Sequence, residues 1–387
     1  MRKVVWVVLV LAVAGFAVGI AAGGNAKTNN KTFEYAIGLW GDLPYSDTQA
    51  QTGVPNIVAD MNSQDIQFSI HDGDLKAGRG IAGSVTPTTC QSATTPNIYS
   101  QGLGYFDALD KPAIFTPGDN DWTDCDRNEN GHFNELERLQ FERGFFFSSD
   151  QSLGKRTMTM EVQSTPSCLG TTSSTGSPTF ETPCVENRRW TFHDITYATV
   201  NVQGTCNNLC SSGAGDLGGD PAEYAARNAA DLQWLQDTFD EASAKHSAGV
   251  MIVWQADPGF DTSGFQGAPK RDPKTLVEAD GNPDGFHDIL SKLRELTIAF
   301  QKPVVLVHGD SHYLLVDKPL LDSGGRLVEN FTRVETFGDN TFTNPPHPEW
   351  DNNHVHWVKA LVDPQSRDVF AFQAQVVPAN RVAVPAP

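Results

Sequence analysis

Acidic residues that follow glycine recur at widely spaced points of this chain: Gly41-Asp42, Gly73-Asp74, Gly118-Asp119 and Gly309-Asp310, the last leading to His312. A fifth position, Trp254-Gln255-Ala256-Asp257-Pro258, offers an amide and another carboxylate. Carboxylates and imidazole are ligands for divalent cations. Several carboxylates in one crevice repel each other unless cations neutralise them. The chemistry implied is metal binding. One Gly-Asp pair is ordinary turn chemistry, but a series of them, each closing an apolar run, forms a pattern. His71, Lys76 and Asn120 stand beside these positions. His71 either supplies an imidazole or is a hydrogen-bonded strand residue. Lys76 either holds a phosphate oxygen or pairs with a carboxylate. Asp121-Trp122-Thr123-Asp124 either positions substrate or closes a turn.

The runs that precede these acids read as strands at 33–40, 66–70, 112–116, 250–254 and 304–307. Helical patterns lie between them, from about 55 onward and at 99–109, 133–146, 221–245 and 286–300. Alternation of this kind predicts βαβ units with helices layered on a sheet. Ligands of open α/β sheets gather at the carboxyl ends of strands, so loops far apart in sequence can converge. Residues 190–202 read as one or two strands. Segments 327–337, 354–362 and 369–377 alternate as strands expected to lie antiparallel at the end of the sheet. With no internal repeat and no interdomain linker, residues 32–378 are expected to form one domain. A Ser/Thr/Gly/Pro-rich insertion tied by disulfides is expected around 164–215.

The 387 residues suffice for a sizeable core, and 39% hydrophobic with 19% charged residues excludes disorder. A net charge of −19 argues against a nucleic-acid-binding surface. Arg2 and Lys3 precede an apolar run at 4–22 with small residues after it, as in an export signal. Residues 1–26 are therefore expected to be a signal peptide, cleaved near Ala22 or Ala26, or an N-terminal anchor. An anchor there is the one membrane contact expected. The location implied is periplasmic or extracellular. Six cysteines in an exported chain predict disulfides, with Cys90–Cys125, Cys168–Cys184 and Cys206–Cys210 as the expected pairs. Zinc held through Cys206 and Cys210 is the rival reading.

The order Gly41-Asp42, Gly73-Asp74, Pro117-Gly118-Asp119-Asn120-Asp121, Trp254-Gln255, Gly309-Asp310-Ser311-His312 resembles the five blocks of the calcineurin-like metallophosphoesterases. In that family the blocks read Asp-x-His, Gly-Asp-x-x-Asp, Gly-Asn-His-Asp/Glu, a lone His, and Gly-His-x-His. The resemblance implies a four-layer α/β/β/α sandwich with mixed sheets and two divalent cations. It places Asp42, Asp74 and His312 on one ion, and Asp74, Asp119, Asp310 and Gln255 on the other. The chain departs from the pattern where Pro44, Ala77, Asn120 and Gln255 replace expected ligands or partners. Carboxylates in place of imidazoles harden the site, so Mn, Mg or Ca is expected rather than zinc.

The function implied is an exported, metal-dependent hydrolase of phosphate mono- or diesters acting through an activated water, with Asn120, His71 and Lys76 as candidate catalytic residues. Its partner would be a small phosphoester. The alternative is a non-catalytic exported protein of the same fold that binds a metal or ligand.

Overall fold

The structure is a computed structural model that describes residues 34–164, 185–210, 218–260, 271–278, 281, 283–339 and 353–382. Strand β1 (Tyr35–Trp40) has every residue buried, and its side chains alternate between two cores. Ile37 and Leu39 face the second sheet, whereas Ala36 and Trp40 face helices. That alternation makes β1 an interior strand. It runs parallel to β2 (Ser69–His71) and antiparallel to β11 (Trp357–Val362). With β3 (Ala113–Phe115) and β12 (Phe370–Gln375) they form a five-stranded sheet in the order β12-β11-β1-β2-β3.

The second sheet has the order β4-β5-β6-β7-β8-β10-β9. Its members are β4 (Glu161–Val162), β5 (Arg188–Phe192), β6 (Ile195–Thr199), β7 (Gly249–Val253), β8 (Val304–His308), β9 (Leu315–Asp317) and β10 (Phe331–Glu335). Strands β6, β7, β8 and β10 are parallel, so their carboxyl ends share one edge. The two sheets pack face to face through Ile37, Leu39 and Ile70 on one side and Tyr197, Met251 and Val305 on the other. Helices α1 (Val54–Ser63), α2 (Ile98–Ala108) and α3 (Glu135–Phe146) cover the outer face of the first sheet. After a single turn at α4 (Gly204–Asn207), helices α5 (Pro221–Ala244) and α6 (His287–Phe300) cover the second. The result is a mixed α/β fold in four layers, α/β/β/α, as the sequence led us to expect. Contacts divide the chain into 1–32 and Phe33–Pro387.

Capping explains where two of these helices start. Asn97 caps α2 through the Ser100 amide, and Asp220 caps α5 through the amides of Ala222 and Glu223, one residue before Pro221. One strand differs from expectation. Segment 327–337 does not lie antiparallel at the end of a sheet; β10 runs parallel to β8 inside the second sheet. The connection 309–330 is long enough for a crossover, and it leaves β9 paired antiparallel on the outer edge of β10. The strands in 354–362 and 369–377, β11 and β12, do pair antiparallel at the end of the first sheet.

Cys90–Cys125 and Cys206–Cys210 are disulfides, so zinc binding by the latter pair is overturned. Cys168, Cys184, residues 1–26 and much of the 164–215 segment lie outside the described residues. Among the described residues, no helix is long and apolar enough to cross a membrane.

Leu306 is fully buried between β8 and the α5–α6 layer. Leu306→Ala is expected to cost about 2–5 kcal/mol in urea unfolding, whereas Val85→Ala, at 78% exposure, should stay within about 0.5 kcal/mol.

Candidate metal centre

Six strand ends supply the site. The loops after β1, β2 and β3 bring Asp42, Asp74 and Asp119, and those after β7 and β8 bring Gln255, Asp310 and His312. The loop after β10 adds Asp339. All of these except the intermediate Asp310 are buried. Asp42, Asp74, Asp310 and His312 adopt left-handed backbone, with φ of 52°, 64°, 74° and 63°. Such a conformation is uncommon outside glycine and clusters at functional sites.

The glycines of the motifs make this crowding possible, because each gives way to the carboxylate of a different loop. A Cβ on Gly118 would lie 2.0 Å from Asp74 Oδ1, one on Gly309 2.0 Å from Asp42 Oδ2, and one on Gly41 1.5 Å from Asp72 Oδ1. No other side chain fits those positions.

Asp42, Asp74 and His312 each present one ligand atom, all within 4.8 Å of one another. Two oxygens on one calcium ion can be up to about 4.6–5.2 Å apart, and on magnesium about 4.2 Å. The cluster thus suits a calcium-sized ion as it stands and needs slight contraction around a smaller one. His312 is oriented as a ligand would be. Its Nδ1 meets the Asp339 carbonyl at 2.5 Å, which leaves Nε2 facing Asp42 Oδ1 at 3.5 Å. The residues present therefore fit a divalent cation.

Asp74 Oδ2 accepts from Tyr45 Oη at 2.7 Å, Asn120 Nδ2 at 2.7 Å and Gln255 Nε2 at 3.1 Å. Asp119 Oδ1 accepts from Gln255 Nε2 at 3.2 Å, and its Oδ2 from the Thr205 hydroxyl at 2.6 Å. Both oxygens of Asp42 accept from the Asp310 amide at 3.1 Å, and Asp310 Oδ2 accepts from the Asp257 amide at 3.0 Å. Asp121 acts as a brace: its carboxylate takes the amides of Asp74, Leu75 and Gly118, tying the β2 loop to the β3 loop.

Two candidates sit apart from the ligand cluster. His71 lies on the helix-facing side of β2, its ring 4.5 Å from that of Trp40 and 5.5 Å from that of Phe106. Its Nδ1 accepts from the Gly73 amide at 3.1 Å, and burial pulls its pKa down to about 3, so it is a neutral core imidazole. Lys76 is buried and donates to the Ala77 carbonyl at 3.0 Å. Burial lowers its pKa to about 8 against the attraction of Asp124, Asp121 and Asp74. It is placed as a counter-charge behind the acids.

Tyr45, Thr205 and Asp339 were not singled out by sequence. Asp339 had a signal, since Gly338-Asp339 follows a strand like the other pairs. Tyr45 stands one residue past Pro44, where the family pattern has an imidazole. Thr205 had none: it lies in a turn whose residues 205–208 are all left-handed and which Cys206–Cys210 staples.

No family model matches the sequence, and no curated protein matches it. Solved structures similar to the chain include GAP50, the anchor in the inner membrane complex of Plasmodium, at 9% identity and TM-score 0.39, covering 88% of each chain. Others are a 5'-nucleotidase from Candida albicans (10%, TM-score 0.37, 89% of this chain and 52% of that one) and the NAD nucleotidase of Haemophilus influenzae (11%, TM-score 0.37, 88% and 49%). This chain spans about half the length of those two nucleotidases.

Burial, then the charges of Asp119, Asp42, Asp121 and Asp310, holds the Asp74 carboxyl well above its usual range. Burial and Asp119 raise Asp310 to about 8. A carboxyl raised on folding keeps a proton that the unfolded chain releases. Stability is then greatest near and below the unfolded value, about 4, and falls as pH rises toward 8. Chelated protein should lose stability between pH 5 and 8 by about 1.4 kcal/mol per pH unit for each such proton. Mn²⁺ should flatten that slope. Thermal unfolding across this range measures it, and a chelated protein that gains stability toward pH 8 would contradict the assignment.

Proposed function

We propose that this chain is an exported, divalent-cation-dependent hydrolase of small phosphate esters. The observation that supports it best is the convergence of buried Asp42, Asp74 and His312 within 4.8 Å. A cation bound there supplies a Lewis acid that lowers the pKa of water and offsets charge on phosphate oxygens. The chain's own groups hold the ligands in place. The Asp339 carbonyl fixes the His312 ring, and Tyr45 and Asn120 orient the Asp74 carboxylate.

Asn120 stands where the family resemblance puts a leaving-group histidine, and an amide has no proton to give at neutral pH. Substrates whose leaving group needs no protonation, such as aryl phosphates, fit this site better than alkyl phosphates. The net charge of −19 disfavours polyanionic partners.

Turnover of 4-nitrophenyl phosphate or its diester with added Mn²⁺ is expected, with alkyl esters slower by about 10²-fold or more. Asp74→Asn should lower turnover by a similar factor. Equal rates for Asp74→Asn and wild type, or none with any metal, would remove the hydrolase reading. One observation favours a second reading, a non-catalytic cation-binding protein: Asp74 Oδ2 already takes three donors. Tight binding of Ca²⁺ or Mn²⁺ without turnover would select it.

Export is supported by the N-terminal pattern and by two disulfides, which persist in oxidising compartments. Terminal sequencing of the secreted protein is expected to start near residue 23 or 27. Recovery of all molecules in the cytoplasm with residue 1 intact would contradict it.

A further inference from the structure

We infer that the site holds one divalent cation rather than two, because the Gln255 amide fills the place of the second. The inference rests on the cation-binding part of the proposed function. Asp74 meets Asp42 and His312 in one ligand group and shares the Gln255 amide with Asp119, while Asp119 and Asp310 both flank Gly204.

The orientation of Gln255 follows from its partners. Its Oε1 accepts the Gly204 amide at 2.5 Å, and a peptide N–H can only donate. Nε2 must therefore point the other way, with one proton toward Asp74 Oδ2 at 3.1 Å and one toward Asp119 Oδ1 at 3.2 Å. Turning the amide over would set two donors against each other at Gly204 and an oxygen against two carboxylates. The amide bridges the pair as an ion would, without net charge.

Space and neighbouring donors agree with this. Tyr45 and Asn120 also donate to Asp74 Oδ2, so on the Gln255 side that oxygen is already served by neutral donors. On the far side of Asp119 the Thr205 hydroxyl takes Oδ2, and the Gly204 main chain closes the gap. A Cβ on Gly204 would lie 2.7 Å from Asp119 Oδ2 and 2.8 Å from Asp310 Oδ1. His312 Nε2, in contrast, faces Asp42 with its other nitrogen already engaged.

Mn²⁺ titration of the mature protein by calorimetry, read together with its electron paramagnetic resonance spectrum, tests the inference. Wild type should bind one Mn²⁺ per chain and show the hyperfine pattern of an isolated ion. Asp119→Asn should keep that stoichiometry with affinity changed by no more than about threefold, under a tenfold step in the binding constant. Gln255→Glu, which removes the donors and adds a carboxylate, should take up a second ion and give a spin-coupled spectrum. Two coupled ions in wild type, reduced to one in Asp119→Asn, would overturn the inference while leaving the function standing. No binding by wild type would overturn both. Should Gln255→Glu fail to fold, wild type and Asp119→Asn decide the question alone.

Discussion

Buried negative charge governs how this end of the molecule is built. Asp42, Asp72, Asp74, Asp119, Asp121 and Asp124 are all buried within one end of the sandwich. The cations near them are few: Lys76, with its pKa lowered, Arg127, which pairs with Asp124, and His312, whose pKa rises to about 9 against burial through the neighbouring Asp42. Isolated charge in a protein interior is so costly that such a cluster must acquire protons or metal ions. The fold manages part of that cost with neutral donors, namely main-chain amides, Tyr45, Thr205, Asn120 and Gln255. At the Asp42–Asp74–His312 corner the His312 imidazole carries offsetting charge when no ion is bound, and a cation held there would take its place.

The two parallel sets of strands explain how the acids meet. Parallel pairing puts all the following loops at one edge of each sheet, and face-to-face packing brings the two edges together. Hydrogen bonds then cross between sheets, from the Asp310 amide to Asp42 and from Gln255 to Asp74. Because the glycines of one loop make room for the acids of another, the loops are mutually dependent. A side chain at Gly118 would displace Asp74, and one at Gly309 would displace Asp42.

Much of this was legible in the sequence, for reasons that differ by residue. Buried runs ending in Gly-Asp mark strand ends that carry an acid, so Asp42, Asp74, Asp119 and Asp310 could be named together. The sequence leaves His71 open between a catalytic imidazole and a strand residue; with Ile70 in the intersheet core, the two-residue period of β2 turns His71 to the helices. The orientation of Gln255 was not legible, because it depends on an amide in the β6 loop, Gly204, distant in sequence. The parallel placement of β10 was hidden as well, since its alternation fits either direction of pairing. Asp339, whose carbonyl orients His312, did carry a signal in Gly338-Asp339 that was not taken up.

Anomalous diffraction at the manganese edge, from crystals grown with Mn²⁺, locates any ion held in this corner. A peak is expected about 2.0–2.4 Å from carboxylate oxygens of Asp42 and Asp74 and from Nε2 of His312. A well-ordered site with those three side chains in place and no peak among them would contradict it.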